Sequence, residues 1–403
     1  MQKAVLKYIK ENKFSSKLDI AQRFNLSLSS VTKRINELLS DKIIAENGLG
    51  TSTGGRKPTL YSLNPDFGIT VSVIVDFDMM NVSINDFLSN IIAKQNIPVN
   101  LSREARSVTK KIIASIEGLM QKNNLPKSKI KGIGIAGGGI LNKEKGTIQF
   151  KMINKVIDFF PTLRKIYDDV PLILEDIVYA EAVGEKNFGQ GPGISNFIYV
   201  RYKKTIGAVI CIDGKIHRNS TGYVSELGHI TVDKEGPLCY CGSRGCLEQL
   251  ASEWYLEKEI EKALDRGVIT HIKNLRSYRK KSVLEVVSEA GEKGDRLALS
   301  LLDQVSENFG IGLATLINLF HPTLVIIGGN FPEEQNSFFR LSRQYTKMYS
   351  LRGLEKNVEY KLSFNIDEMS LKGLSELVID EVLRGFYDRF SENKEIRGVK
   401  WVN

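Results

Sequence analysis

The 403-residue sequence contains no apolar run near the roughly 18 residues that a membrane-spanning helix requires. Lysines are scattered through its first residues and no long apolar segment follows them, so a secretory signal peptide is not predicted. Cysteine is scarce, with four residues in the whole chain. These absences exclude a membrane protein and a disulfide-rich secreted domain. We therefore expect a cytoplasmic protein of two or three domains.

Charge is unevenly distributed along the chain. Residues 1–64 contain 11 Lys and Arg against 5 Asp and Glu, a net charge of +6 out of +9 for the entire sequence. A basic excess in a short terminal segment indicates a nucleic-acid contact surface. A solvated lysine-rich face would carry the same charge, so the sequence pattern of the segment has to decide between the two.

Three short helical patterns occupy the first 40 residues. Ser16 and Ser27 are suited to cap the second and third helices. Leu18 is predicted to join the buried side of the second helix. Val31 and Ile35 belong to the buried face of the third helix, and its opposite face presents small hydroxyl groups and cations: Ser29, Ser30, Thr32, Lys33 and Arg34. This pattern predicts a helix-turn-helix whose third helix lies in the major groove of DNA.

A predicted hairpin follows the three helices. Residues 43–45 and 60–63 are typical of two strands, and the tip between them is rich in glycine and ends at Arg56, Lys57 and Pro58. An arginine in such an extended tip is suited to the narrow minor groove. A basic interdomain linker is the alternative. We predict a winged helix-turn-helix domain over residues 1–64, with Arg56 and Lys57 contacting DNA.

The composition changes after Pro65, and the rest of the chain alternates between strand and helix patterns. Three strands, a helix over 103–123 and a buried strand over 130–136 resemble one lobe of an actin-like fold. A second set of strands begins near residue 196, and another strand covers 324–327. We predict an α/β body with a first lobe over 65–182, rejoined by a C-terminal helix over about 370–403, and a second lobe over 183–369. The cleft between the lobes is the expected ligand site.

One imidazole and three thiols form the most specific pattern in the sequence. His229 is followed by nine residues and then by Cys239, Cys241 and Cys246. This donor set suits a tetrahedral Zn²⁺ ion. Close cysteine spacing in a chain without an export signal favours a metal over disulfides, and three buried thiols are the alternative.

The segment from Glu226 to Glu248, preceded by Asp213-Gly214-Lys215, resembles the signature of the ROK family, which groups repressors, sugar kinases and proteins of unknown function. The N-terminal domain with its Gly-Arg-Lys-Pro wing is similar to the repressor branch. The resemblance implies an actin-like ATPase (ribonuclease H-like) fold and a zinc ion that shapes a sugar site. It also implies a homodimer or homotetramer.

The resemblance also implies roles for individual residues. His229 would bind zinc and touch the sugar, while Glu226 and Glu248 would accept hydrogen bonds from sugar hydroxyls. Asp176 matches the catalytic base of the kinases, and Glu175 stands where they carry a sugar-binding asparagine. The backbone of Gly139 would also approach the sugar, and Asn154 is a further candidate. The predicted sugar-binding set is therefore Gly139, Asn154, Glu175, Asp176, Glu226, His229 and Glu248.

The two phosphate-binding loops of the kinases are altered here. Residues 76–81 read Asp-Phe-Asp-Met-Met-Asn where those kinases carry Asp-x-Gly-Gly-Thr-Lys, and residues 203–207 read Lys-Lys-Thr-Ile-Gly in place of Gly-Thr-Gly-x-Gly. Glycines let backbone amides approach phosphate, and Asp78 adds a negative charge where phosphate would lie. Phosphoryl transfer is therefore not expected, and Asp176 would be a vestigial base.

Together these features predict a sugar-responsive transcriptional regulator, a repressor rather than an activator, that binds operator DNA and a sugar in the interlobe cleft. Two alternatives remain open from the sequence. One is an ATP-dependent sugar kinase that carries a DNA-binding domain. The other is a regulator of the same architecture that a partner protein controls.

Overall fold

The computed structural model describes residues 2–51, 57–218, 224–272, 281–331 and 337–395, with residues 387–395 described by their backbone. The first domain contains α1 Gln2–Asn12, β1 Ser15–Ser16, α2 Lys17–Phe24, α3 Leu28–Ser40, β2 Ile44–Leu49 and β3 Thr59–Leu63. β3 pairs antiparallel with β2 on one side and with β1 on the other. The predicted three helices and hairpin are confirmed, and the short strand β1 is an addition to them.

Side-chain caps fix where α2 and α3 begin. Ser16 and Asp19 form a reciprocal capping box at the start of α2, and the Ser27 hydroxyl accepts from the Ser30 amide at 3.2 Å. Ile20 is buried in the domain core, as its spacing predicts. Leu18 is not, because α2 turns its other face inward and leaves this side chain 50% exposed. The prediction for Leu18 was wrong.

The first lobe of the body is built on a five-stranded sheet. Its elements, in chain order, are β4 Ile69–Val75, β5 Met79–Asn85, β6 Ile91–Pro98, α4 Leu101–Glu104, α5 Val108–Lys122, β7 Ile130–Gly137, β8 Ile140–Asn142, β9 Thr147–Phe150, β10 Lys155–Asp158, α6 Phe160–Leu163 and β11 Leu172–Asp176. The sheet order is β11-β7-β4-β5-β6, with β7 parallel to β4 and β11. β8, β9 and β10 form a small separate sheet beside the carboxyl end of β7. The helix predicted over 103–123 is divided into α4 and α5.

The second lobe repeats this arrangement on another five-stranded sheet. The remaining elements of the body, in chain order, are α7 Ile177–Phe188, β12 Phe197–Tyr202, β13 Ile206–Ile212, β14 Lys215–Ile216, α8 Glu248–Ala251, α9 Glu253–Asp265, α10 Val283–Glu292, α11 Arg296–Phe320, β15 Leu324–Gly328, α12 Ser337–Tyr349, β16 Glu359–Leu362 and α13 Ile366–Glu395. The sheet order is β14-β13-β12-β15-β16, and β15 runs parallel to both its neighbours. The body is therefore a two-sheet α/β structure, as predicted.

Two helices, α7 and α13, pack against each other and connect the lobes. Gly184 and Gly373 lie at their contact, where a Cβ atom on either residue would come within about 2 Å of a backbone oxygen of the other helix. α13 also covers the first sheet, with Leu374 and Val378 packed over Gly134 and Gly132. This C-terminal helix begins a few residues before the position predicted for it.

The core of the N-terminal domain continues into the body. Leu6, Ile9 and Ile35 belong to one buried apolar cluster with residues of the β5–β6 turn and of α13. The domain is therefore docked on the first lobe through a packed interface. None of the described helices has the length and apolar character needed to cross a membrane.

Candidate functional site

A cavity of about 560 Å³ opens between the two lobes. Its walls come from the glycine turn after β7, the start of α7, the β12–β13 turn and the segment around the cysteines. The lining residues are Phe77, Gly138, Gly139, Ile140, Lys151, Met152, Asp176, Ile177, Val178, Thr205, Ile206, Gly207, Val224, Glu226, His229, Tyr240, Cys241 and Glu248. This is the interlobe position that the sequence predicts for a ligand site.

Glycine at position 139 is required by the chain path. A Cβ atom there would lie 2.5 Å from the carbonyl oxygen of Gln149 in β9. The turn after β7 therefore passes directly over β9, and its bare backbone faces the cavity. The backbone contact of Gly139 with a sugar stays a prediction.

Three carboxyl groups face the cavity. Asp176 is the N-cap of α7, where its Oδ1 accepts from the Val178 amide at 2.7 Å. Burial, together with the charge of Glu226, raises the pKa of Asp176 to about 7. Burial also raises the pKa of Glu226. A cavity with several carboxyl oxygens suits a ligand with several hydroxyl donors.

Glu248 is held in place by contacts on both of its oxygens. Oε2 accepts from the Ile206 amide at 3.0 Å, and Oε1 accepts from the Tyr240 hydroxyl. The side chain is buried, and burial raises its pKa to about 7. The contact with Ile206 joins the start of α8 to the β12–β13 turn, so Glu248 fixes the shape of this wall as well as lining it.

Two residues of the predicted sugar set lie elsewhere in the described part of the chain. Glu175 does not line the cavity, because its carboxylate is paired with Lys143 at 3.1 Å and with Arg218 at 2.6 Å. Asn154 is exposed, has a left-handed backbone conformation after a short turn, and does not line the cavity either. The sugar contacts expected of these two residues stay predictions without support from this cavity.

The predicted metal ligands converge on one point. One donor atom each of His229, Cys239, Cys241 and Cys246 lies within 4.8 Å of the other three. The Cys241 and Cys246 sulfur atoms are 3.6 Å apart, and Cys239 Sγ is 3.6 Å from His229 Nδ1. Tetrahedral Zn–S bonds of about 2.3 Å give sulfur separations of about 3.8 Å. The donor set and its spacing therefore fit a zinc ion, and the cluster forms one edge of the cavity.

Ion pairs join the two altered loops across the lobes. Arg201, at the end of β12, is fully buried and donates to Asp76 at 2.5 Å and to Glu181. Lys204 lies 3.2 Å from Asp78. Burial alone would raise the pKa of Asp76, but the charges of Arg201, Lys203 and Lys204, together with the hydrogen bond from the Phe77 amide, outweigh it and hold this pKa below its ordinary value. The cations after β12 are thus already neutralised by carboxylates of the chain itself.

Five of the seven residues predicted to contact DNA lie together on α3. Ser29 and Lys33 are exposed, and Ser30, Thr32 and Arg34 are half-buried. Arg34 donates to the Ser30 carbonyl oxygen at 2.9 Å and to its hydroxyl at 2.6 Å, so it is held along the helix. Lys57 is exposed on the wing, and Arg56 lies outside the described residues.

Sequence reasoning missed two residues beside the proposed sugar contacts, Arg218 and Tyr240. Arg218 spans the lobes to reach Glu175 and stacks 3.5 Å above the Tyr179 ring. Tyr240 lies between two ligand cysteines, and its ring meets that of His229 edge to face. No motif marks Arg218. Tyr240 could have been found from the sequence. It lies between Cys239 and Cys241, which are predicted to share a metal ion with His229, so its side chain is expected close to that histidine.

The fold and the site define a class of protein. Residues 72–381 match the ROK family and residues 1–45 match a winged helix-turn-helix DNA-binding family. The chain belongs to the ROK family, and its N-terminal domain is a winged helix-turn-helix.

Curated relatives align over nearly the whole chain. The xylose repressor of Caldicellulosiruptor bescii is 29% identical over 94% of this chain and 95% of its own length. The DNA-binding transcriptional dual regulator NagC of Escherichia coli is 24% identical over 92% and 90%.

Solved structures share the fold. A ROK family transcriptional regulator, a homologue of the E. coli MLC protein, superposes with a TM-score of 0.75 at 23% identity and covers 95% of this chain and 96% of its own. A ROK family glucokinase from Streptomyces griseus, in complex with glucose and AMPPNP, superposes with a TM-score of 0.61 at 23% identity over 77% and 99%. The body therefore has the two-lobed fold that regulators and sugar kinases of the family share.

Proposed function

We propose that this chain is a sugar-responsive transcriptional repressor of carbohydrate-use genes. Operator DNA would bind α3 and the wing, and a sugar effector would bind in the interlobe cavity. The observation that carries the proposal is the combination, in one chain, of a winged helix-turn-helix and a cavity where Asp176, Glu226 and Glu248 meet. The cavity volume is within the ordinary range for small-molecule sites, roughly 300–1,000 Å³.

The predicted sugar contacts from Asp176, Glu226, His229, Glu248 and the Gly139 backbone are retained in this proposal. Xylose is the first effector to test, because the name of the C. bescii relative is xylose repressor. N-acetylglucosamine is the second, since E. coli proteins named N-acetylglucosamine repressor align over the same range. The carboxylates would accept hydrogen bonds from the sugar hydroxyls, and the sugar would favour one arrangement of the lobes over the other.

We infer that the cluster of His229, Cys239, Cys241 and Cys246 holds a zinc ion. Its part would be structural, because four protein ligands leave no open coordination position for chemistry. The ion would fix the loop that carries Tyr240 and orient His229 at the cavity edge.

We further infer a homodimer or homotetramer in the cytoplasm. Helix-turn-helix regulators read two half-sites through a two-fold assembly, and operator DNA lies in that compartment. We keep residues 1–64, 65–182 with α13, and 183–369 as the proposed divisions of the chain.

A sugar kinase is the second candidate, and one observation favours it. Asp176 is half-buried at the cavity and its pKa is raised to about 7, where a general base is efficient. The ion pairs of Arg201 with Asp76 and of Lys204 with Asp78 oppose this function, because they occupy the groups that would have to bind phosphate.

The experiment is a fluorescence-anisotropy titration of the purified chain with DNA from upstream of its own gene and of neighbouring sugar-use genes. We expect sequence-specific binding that a sugar weakens, with xylose, N-acetylglucosamine and glucose tested side by side. Absence of specific binding to these fragments and to sites selected from random DNA would contradict the proposal. Binding that no sugar alters, but a protein from the same cells does, would favour control by a partner protein.

A further inference from the structure

One face of α13 contacts both α7 and the DNA-binding domain. Met369, Gly373, Glu376 and Asp380 are spaced by three or four residues and therefore lie on one side of the helix. At Met369 and Gly373 this side packs against the backbone of α7. Two turns further on, the same side meets α1 of the winged helix-turn-helix.

Lys10 makes two ion pairs across the contact between α1 and α13. Lys10 Nζ lies 2.9 Å from Glu376 Oε1 and 2.5 Å from Asp380 Oδ1, and its side chain is only 10% exposed. Burial alone would lower the pKa of Lys10, but the two carboxylates outweigh it and raise this pKa. Ile9, beside it on α1, shares a buried apolar cluster with Ile379 of α13.

The contacts that begin at Lys10 continue through α13 to α7, and α7 begins at the cavity. Asp176 caps α7, and Ile177 and Val178 in its first turn line the cavity. The helix then runs to Gly184, where a Cβ atom would lie 2.0 Å from the Met369 carbonyl oxygen. Because the two backbones are in direct contact, α7 has no room to shift toward α13 without displacing it.

We propose that α13 transmits the effector state from the cavity to the DNA-binding domain and that Lys10 is the residue that makes the domain follow it. This inference rests on the proposed function. A sugar that binds one position of the first turn of α7 better than another selects the matching position of α13. The ion pairs of Lys10 with Glu376 and Asp380 then select one orientation of α1, and with it the helix-turn-helix.

The test compares Lys10→Met with Lys7→Met in the full chain. Lys7 lies on the same helix, is mostly exposed, and is 3.6 Å from Glu11 of that helix, so its replacement removes the same charge without touching α13. Operator affinity is measured by anisotropy with and without saturating xylose. Xylose binding is measured separately by thermal shift.

We expect wild type and Lys7→Met to lose at least about fivefold in operator affinity when xylose binds, the lower end of ordinary allosteric coupling. In Lys10→Met the loss should fall below about twofold, while the xylose-dependent thermal shift stays as in wild type. Lys10→Arg keeps the charge and should restore the response. Should Lys10→Met fail to fold, Glu376→Gln combined with Asp380→Asn removes the same contact from α13.

A full xylose response in a folded Lys10→Met protein would overturn the inference and leave the proposed function intact. A wild-type protein that binds its operator but responds to no sugar would contradict the proposed function itself, and the inference with it.

Discussion

Cys241 is the exposed member of the four side chains that converge on the proposed zinc, whereas Cys239 and Cys246 are buried. Replacing it by serine therefore removes a ligand with little effect on packing. We expect Cys241→Ser to lose zinc and to melt earlier, because the binding energy of a structural site is partly folding energy. A loss of about 2 kcal/mol would lower Tm by roughly 4–8 °C.

The measurement for Cys241→Ser is elemental analysis beside calorimetry, on protein purified without chelators. Cys211→Ala is the matched control, since Cys211 is a buried free thiol far along the chain from the cluster. That variant should keep one zinc per chain. A full zinc content in Cys241→Ser, or iron in the wild type, would count against the assignment.

Glu248 offers a second test at the level of one residue. Its two oxygens already accept from Ile206 and Tyr240, so Glu248→Gln preserves the size of the side chain and removes its charge. We expect weaker sugar binding, seen as a smaller thermal shift at fixed xylose, and unchanged operator affinity without sugar. Glu261→Gln, on an exposed position of α9, should behave as wild type. An unchanged xylose response in Glu248→Gln would remove Glu248 from the site.

At the scale of single elements, α3 carries the testable part of the DNA contact. Lys33 is exposed on the face opposite the buried Val31 and Ile35. If this face meets phosphates, Lys33→Ala should weaken binding by a similar factor for all sequences. The slope of log affinity against log salt should fall by about 1. Lys110→Ala, which removes an exposed lysine from α5 of the body, should change neither quantity.

Helix starts were predictable from the sequence where the residues that determine them lie close together in the chain. Ser16 and Ser27 mark the first turns of α2 and α3 because a capping side chain bonds an amide three residues away. The metal cluster was predictable for a similar reason, since three of its four ligands fall within eight residues. Gly139 was proposed from the family resemblance, and the close passage of β9 gives a local reason for a glycine at this position.

Glu175 shows where sequence reasoning stopped. Its position before Asp176 suggested a place at the sugar, but its partners Lys143 and Arg218 are 32 and 43 residues away in the chain. No local pattern links those residues, and only the folded arrangement of β8, β11 and the segment after β14 brings them together. The same is true of Arg201, whose pairing with Asp76 spans 125 residues.

For the whole molecule, these distant pairs set how the lobes meet. Arg201 with Asp76 and Arg218 with Glu175 join the second lobe to the first on two sides of the cavity. Removing one partner of a buried ion pair costs about 3–5 kcal/mol, so the Arg201 pair is a strong constraint on the interlobe geometry. The pair of Lys204 with Asp78 is more exposed and contributes little by itself. The cleft is thus held by the chain itself, without nucleotide.

The interlobe ion pairs bear on whether the protein can transfer a phosphoryl group from ATP to a sugar. Phosphoryl transfer depends on positioning a triphosphate and neutralising its charge. Here Asp76 and Asp78 already neutralise Arg201 and Lys204. We expect xylose to raise Tm while Mg-ATP does not, and we expect no sugar-dependent ADP release in a coupled assay across a sugar panel. Release at about 1 per second or faster, an ordinary enzyme rate, would make the chain a kinase and return Asp176 to the role of general base.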